Sequence, residues 1–417
     1  MNLIRSAAAS VFAISVAACL LPSCNNFENE VLVEVNAVSD TEAPVLHATI
    51  EGSEASDTKV YTDAALHVLW NKDDLITAFV QSTRNKKYHF EGNDGANGGD
   101  FVWLDDGSLG TGEHLDYIYA VYPYDKNISY VLADGASILS DFIRAYLPEQ
   151  QSYKANSFGR GANLMVAKSS TTDLSFKNVG GFLCFKIYGA TESLSIRSII
   201  LEGRNNEYLS GPVKISLGEG NVPTMVFDTE HPEELGKRIV LTAEEPVVLG
   251  TSSETAATFW MVVPPVTFTN GIKITIIDGN GGIITKSTSN SIAITRNTRK
   301  TMAAFSIQAV DVPTPAEGIY PFGGPAYAKE VADQYNIYEY GGNAWVRLLV
   351  LSTLKMYELG PIPLTASAKD RLPDVTFTTY VEGVATSSVT SGCVVRAYSG
   401  GVMDVVSDLG DRYVFRF

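Results

Sequence analysis

Residue types able to do acid–base or metal chemistry occur in this sequence without the spacing that such chemistry needs. The five histidines, His47, His67, His89, His114 and His231, form no i,i+4 pair and no His-Glu-x-x-His run that would set two imidazoles on one helical face around zinc. No Gly-x-Ser-x-Gly elbow is present to lift a serine nucleophile out of a strand–helix turn. Acidic residues abound, but a glycosidase carboxylate pair is defined by its separation in space, so spacing alone cannot mark one. Gly92-Asn-Asp-Gly-Ala-Asn-Gly-Gly-Asp100 gathers the hard oxygen ligands that calcium takes, yet it lacks the glutamate at the twelfth position of an EF-hand loop. It also lacks the Lys-Ser/Thr and following helix of a phosphate cradle. Turn chemistry is the plainer reading. No catalytic residue, metal or cofactor is therefore expected, and a surface glycosidase is the disfavoured alternative. A different chemistry is open to Tyr327, Tyr335, Tyr338, Tyr340 and Trp345. Aromatic rings of this kind can stack on sugars, and Tyr338, Tyr340 and Trp345 are the candidate ligand-binding residues. The same aromatics also suit a core.

The cysteines at the start of the chain carry another chemistry. Arg5 gives a short positive region, and Ser6 to Leu21 is apolar, too short and wrongly flanked for a spanning helix. The stretch ends in Leu21-Pro-Ser-Cys24, which resembles a bacterial lipobox, where the thiol is acylated and becomes the mature N-terminus. Val16-Ala-Ala-Cys19 competes and is cleaner by pattern. Cys24 is favoured because Asn-Asn-Phe-Glu-Asn-Glu follows it as a polar, acidic tether. Acyl chains contribute ~0.8 kcal/mol per buried CH₂, so more than one chain holds a protein on a membrane. The two remaining cysteines, Cys184 and Cys393, belong to no Cys-x-x-Cys motif and have no nearby histidine. Cys184 reads as a small buried hydrophobe, and a bridge to Cys393 would have to join two domains.

The formal net charge of −16 argues against a nucleic-acid partner, whose phosphates need a basic face. It suits a self-repelling surface protein. At 417 residues the chain should hold two or three domains. Short aromatic and β-branched runs between turns place it in the all-β class. Val31–Val35 and Val45–Ile50 read as first strands in a tether. Leu66–Trp70, Leu75–Val80 and Tyr117–Tyr124 follow. Phe182–Tyr188 reads as a core strand behind Gly180-Gly181. Ile196–Glu202, Arg238–Thr242, Phe259–Val263 and a hairpin over Gly271–Lys286 continue the series. In that hairpin Ile272, Ile274 and Ile276 should face a core, with Lys273 and Thr275 outward. Val312-Pro-Thr-Pro-Ala-Glu-Gly318 reads as a linker. Beyond it, Pro325–Tyr335 suits a short helix, and Trp345–Leu351, Val375–Tyr380, Cys393–Tyr398 and Tyr413–Phe417 suit strands. The segments expected are 1–23 signal peptide, 24–59 tether and first strands, 60–167 and 168–311 β-sandwiches, 312–318 linker and 319–417 a small, mostly-β domain.

An ordered series of motifs adds to this reading. It comprises Leu147-Pro-Glu-Gln-Gln-Ser-Tyr153, Asn156-Ser-Phe158, Ala162-Asn-Leu-Met-Val-Ala167, Phe176-Lys-Asn-Val-Gly-Gly-Phe182, Leu201-Glu-Gly203 with Leu209-Ser-Gly211, Trp260-Met-Val-Val-Pro-Pro265, and Ile292-Ala-Ile-Thr-Arg-Asn297 with Met302. In this order, over roughly Val60 to Ile307, the chain resembles the fimbrillin-like surface pilins and pilus-associated lipoproteins of Bacteroidota. The resemblance implies two tandem transthyretin-like sandwiches and a lipid-anchored outer-membrane protein at the cell surface. It implies other fimbrial subunits as partners, joined by β-strand addition. Val31, Val33 and Val35 in the first strand, and Tyr413, Phe415 and Phe417 in the last, are the strand-exchange candidates. The last strand could equally close its own sheet. In the family the first strand can be released by cutting after arginine, but no arginine lies between Arg5 and Arg84. That departure leans toward a subunit that keeps its first strand, and Lys59 is a weak alternative cleavage point. The domain after the linker lies outside the family's usual pair. It points to a tip or accessory subunit, with an anchor as the close alternative. The reading outside polymerisation is a surface lipoprotein that binds a host glycan or protein through this last domain.

Overall fold

A computed structural model describes residues 43–51, 68–104, 112–133, 141–309, 318–319, 334–399 and 402–416. These residues are strands joined by turns and three short 3₁₀ turns, with no α-helix among them. The region 320–333, which holds most of the expected helix, lies outside the described residues. Gln334 and Tyr335 begin a strand.

Seven strands close a barrel: Leu46–Ile50, Asp173–Asn178, Met165–Ser169, His114–Tyr122, Leu75–Ser82, Lys86–Phe90 and Gly98–Trp103. The first of these makes the closure. Leu46–Ile50 runs parallel to Asp173–Asn178 on one side and antiparallel to Gly98–Trp103 on the other. Its residues alternate between buried and exposed, as a strand with one face inward must. Both edges of the first sandwich are thereby consumed, and its two layers become continuous. Trp70 sits inside and is fully buried. Its ring meets Phe101, Phe176 and Tyr122 edge-on at centroid distances of 5.0, 5.2 and 5.5 Å, a geometry the ring quadrupoles favour.

The strand Gly181–Gly189 joins this barrel to the second unit. Phe182 and Cys184 pack with the barrel core, whereas Leu183, Phe185 and Ile187 pack in the next core. A strand buried on both faces needs a nearly continuous apolar run, and Phe-Leu-Cys-Phe supplies it. It pairs with Ala257–Val263 on one side and with Arg299–Thr301 and Phe305–Ile307 on the other. Facing it is a sheet of six strands in the order Ile283–Ser287, Ile272–Asp278, Ser195–Gly203, Arg238–Val248, Gln150–Lys154 and Ser157–Phe158. Sequence neighbours of the barrel are thus recruited into the second unit. Phe142–Leu147 likewise pairs with Gly211–Leu217, forming a small sheet that covers the outside of the barrel at Phe79, Val121 and Val166. Position 167 is therefore not where one set of strands ends and the next begins.

The C-terminal region is a curled eight-stranded sheet in the order Gly318–Ile319, Arg412–Arg416, Val402–Ser407, Val384–Ser399, Arg371–Val381, Lys355–Pro363, Asn343–Val350 and Gln334–Tyr340. Its concave side encloses Val346, Leu348, Leu359, Phe377, Val395, Val405 and Phe415. Its other side packs at one end on the second unit, where Val394, Val406 and Leu409 meet Ile200, Val240 and Ile277. This contact corrects one expectation. Ile272, Ile274 and Ile276 do face the sandwich core, but Thr275 is buried at 1% exposure. The face it shares is covered by the C-terminal sheet, which hairpin alternation cannot reveal.

Candidate functional site

The motif residues converge on two polar joints. The first lies between the barrel and the sandwich. Asn178 is fully buried at the end of Asp173–Asn178. Its side chain accepts from Asn163 Nδ2 at 2.6 Å and donates to Asn297 Oδ1 at 2.8 Å. Its backbone N–H donates to Glu51 Oε1 at 2.6 Å. Arg296 donates both to that same carboxylate oxygen and to the Asn178 carbonyl. Glu51, the 163–178 segment and Arg296-Asn297, three stretches far apart in sequence, thus meet at one residue. Buried polar groups must be satisfied, so each asparagine requires the others.

The second joint holds an otherwise open strand edge. Gln151, 5% exposed, donates from Nε2 to the Val262 carbonyl at 2.7 Å and accepts the Val262 N–H on Oε1 at 2.9 Å. A side-chain amide here does the work of a neighbouring strand for Ala257–Val263. Asp74 pins the turn after Trp70: its carboxylate accepts from Asn71 N at 2.7 Å, Arg160 Nε at 2.9 Å and Tyr122 Oη at 3.2 Å. Burial pushes this carboxyl above the usual range, opposed by the Asn71 and Arg160 bonds.

None of these arrangements is chemically reactive. Burial raises the thiols of both Cys184 and Cys393, the latter to about 12, and both are free and buried in separate cores. The Gly92–Asp100 loop spends its carboxylates on local structure: Asp94 Oδ1 accepts from Lys72 N at 2.7 Å, and Asp100 pairs with His47 at 2.9 Å. One exposed group, His231, Glu233 and Glu234, brings metal-ligand atoms within 4.8 Å of one another.

The predicted ligand-binding residues lie on the convex face of the C-terminal sheet, away from its contact with the sandwich. Tyr338 and Trp345 are directly opposite each other on neighbouring strands. Their rings are parallel within 6°, with centroids 5.6 Å apart. The Arg347 guanidinium lies 5.0 Å over the Tyr338 ring, a cation–π contact. Arg347 Nε also donates to Glu358 Oε2, which accepts from Tyr338 Oη at 3.3 Å. Gly360 makes room for this group, because a Cβ there would stand 2.5 Å from Trp345 Cδ1. Tyr340 projects beyond at 78% exposure. The strand-exchange candidates are placed differently. Tyr413 and Phe415 are 4% and 0% exposed, in a strand paired on both sides within its own sheet. Cys19, Cys24, Val31, Val33, Val35 and Phe417 lie outside the described residues.

Sequence reasoning missed Gln151, Arg347 and Glu358 as individual residues. The signal for Gln151 was its place in the Leu147–Tyr153 motif. Arg347 and Glu358 carried none, because their pairing depends on strand register.

No family profile matches the chain, and no curated protein does. Solved structures are similar to it. One is a candidate cell adhesion protein from Bacteroides ovatus, with 12% identity over 63% of this chain and 91% of that one, and a TM-score of 0.36. A candidate cell adhesion protein from Bacteroides uniformis has 17% identity over 63% and 93%, with a TM-score of 0.33. A fimbrial protein from Bacteroides ovatus has 13% identity over 69% and 53%, with a TM-score of 0.26. The likeness is one of all-β build, and the functional reading below is carried by this chain's own residues.

Proposed function

We propose that this chain is a lipid-anchored cell-surface component of a Bacteroidota fimbrium, in a tip, accessory or anchor position. It would act in assembly or adhesion with other fimbrial subunits. The observation that carries the reading is the ordered motif series. Its members, from Gln151 to Asn297, close the polar joints of two successive β units, downstream of a sequence that resembles an acylation signal at Cys24 (alternatively Cys19). The names of the similar solved structures agree with it. A terminal or anchoring position is supported by the last strand, since Tyr413 and Phe415 are committed to their own core. A subunit that donated this strand would have to unpair it first. Intact mass and N-terminal sequence of the protein from native outer membrane test the reading. Acylated Cys24 or Cys19 with the whole chain retained is the expected result. A new N-terminus between Val31 and Val60 would instead indicate a polymerising stalk subunit, and an unacylated cysteine would refute the lipid anchor.

A second reading, a surface lipoprotein that does not polymerise and binds a glycan or host protein, is favoured by one observation. The convex C-terminal face presents aromatic rings with no partner strand or sheet over them among the described residues.

A further inference from the structure

We infer that the convex face around Tyr338, Tyr340 and Trp345 is a binding platform for an uncharged, pyranose-containing oligosaccharide. This gives a ligand class to the second reading and rests on it for exposure of the face at the cell surface. The chemistry follows from the residues. A pyranose ring has an apolar C–H face and a rim of hydroxyls, so its receptor needs a flat apolar surface beside fixed polar groups. Tyr338 and Trp345 supply a rigid pair of rings, stacked on each other and buttressed by the Arg347 contact and by Gly360, so a sugar meets the outer rim of this pair and the much more exposed Tyr340 ring. Aromatic rings give contact area at little entropic cost, because they have few torsions to freeze. Tyr340 adds a third ring at the sheet edge, on the side of the strand that Tyr338 shares.

The polar half is next to it. Arg347 donates from Nε to Glu358, and its guanidinium also bonds the Tyr338 hydroxyl. The Arg347 side chain is 44% exposed and that of Glu358 16%, so a fixed donor and a fixed acceptor stand side by side for vicinal hydroxyls. Trp345 Nε1 donates to no protein acceptor among the described residues. Farther along the same face runs a ladder of hydroxyls: Thr376 with Thr390 at 3.0 Å and Thr378 with Ser388 at 3.1 Å. Four interstrand steps separate Tyr338 from the strand of Thr390, about 19 Å at ~4.8 Å per step. That length suits several linked sugars rather than one.

Charge and composition select this ligand over the alternatives. The platform's one cation and one anion neutralise each other, and the chain's charge of −16 opposes sialylated or sulfated glycans. A protein partner would seek an apolar centre. Here the centre of the face, between the rings and the hydroxyl ladder, is Arg347, Glu358 and Thr378, with Leu349 and Met356 half-buried beside them, and the exposed aliphatic side chains Leu351, Leu354 and Val384 stand at the turns.

The test uses the whole mature protein on an array of glucans, mannans, galactans and N-acetyllactosamine chains, with sialylated and sulfated counterparts. The strongest neutral hit is then titrated calorimetrically against Tyr338→Ala, Tyr340→Ala and the remote surface variant Tyr146→Ala. The expected result is binding to a neutral glycan, weakened at least tenfold by Tyr338→Ala or Tyr340→Ala and unchanged by Tyr146→Ala. Tyr340 is largely solvated, so its variant decides the matter if Tyr338→Ala fails to fold. Binding to no neutral glycan, preference for acidic ones, or full affinity in Tyr340→Ala would overturn the platform. With Cys24 acylated, a blank array refutes the platform alone. An unacylated N-terminus alongside glycan binding refutes only the lipid anchor.

Discussion

Replacing Gln151 with alanine should loosen the second unit at a strand that the substitution never touches covalently. Gln151 and the backbone of Val262 exchange two hydrogen bonds at 2.7 and 2.9 Å in a buried setting. Removing the amide leaves one buried N–H and one buried carbonyl without partners. Each unsatisfied group costs ~1–3 kcal/mol, so the expected loss is about 2–6 kcal/mol before any water enters. For a unit of this size that corresponds to a fall in melting temperature of roughly 5–15 °C. Gln151→Glu sharpens the test. The carboxylate can still accept the Val262 N–H, but it opposes the Val262 carbonyl and is desolvated, so its folded pKa must rise above the unfolded ~4.3. A group with a raised folded pKa is least harmful below its unfolded pKa, and its cost grows as pH rises toward the folded pKa. The Glu variant should therefore approach wild-type stability near pH 4 and fall away toward pH 7, while the Ala variant shows no such trend. Hydrogen exchange on the 257–263 peptide, with scanning calorimetry at the two pH values, reads both effects. If Gln151→Ala melts within 1 °C of wild type and Val262 keeps its protection, the amide does not hold this edge and the argument fails.

Other outcomes follow from the same structure. Thr275→Val should be neutral or stabilise by up to ~1 kcal/mol, because Oγ1 is buried without a partner and an unbonded buried hydroxyl is a cost; a clear drop in melting temperature would reveal a hidden bond. Asn178→Ala should cost about 2–4 kcal/mol by orphaning the Asn163 and Asn297 amides, read as earlier unfolding of the barrel in denaturant. Asp228 accepts from Arg144 at 2.6 Å and pairs with Lys214 at 3.1 Å. Its own burial pushes the carboxyl up, but the Lys214 bond, the Glu230 N–H and Arg144 outweigh this and hold it below the usual range. A depressed folded pKa stabilises above the unfolded value of ~3.9 and is lost as pH falls through the folded one. Asp228→Asn should thus destabilise at pH 7 by ~1–3 kcal/mol, and the gap to wild type should close below about pH 4; a gap that persists at pH 2 would refute the charge argument.

Much of the fold was legible because β-strands announce themselves locally. Apolar alternation and turn residues marked Leu75–Val80, Phe259–Val263, the Gly271–Lys286 hairpin, Trp345–Leu351 and Val375–Tyr380 within a few residues of where strands stand, whereas Lys355–Pro363 and Val402–Ser407 went unmarked and Cys393–Tyr398 caught only the end of Val384–Ser399. The doubly buried strand at Phe182 was legible for the same reason, since its apolar run leaves no solvated face. Partnership was not legible. Nothing local in Leu46–Ile50 says that it zips a barrel between two strands so distant from each other in sequence, and nothing in Phe142–Lys154 says that its first part covers the barrel with Gly211–Leu217 while Gln150–Lys154 joins the sandwich. The fate of Thr275 depended on a sheet more than a hundred residues away. At the candidate face, sequence composition supplied the aromatics, but register decided that Tyr338 stacks on Trp345 and that Arg347 and Glu358 meet beside them. Sequence by itself determined many of the strand segments, which side chains are apolar, the acidic charge and the lipobox-like motifs near the N-terminus, because each is read from composition or a short window. Only the tertiary structure decided which strand edges are paired, which polar residues become joints and which aromatics stay in solvent, because each depends on what a distant segment covers.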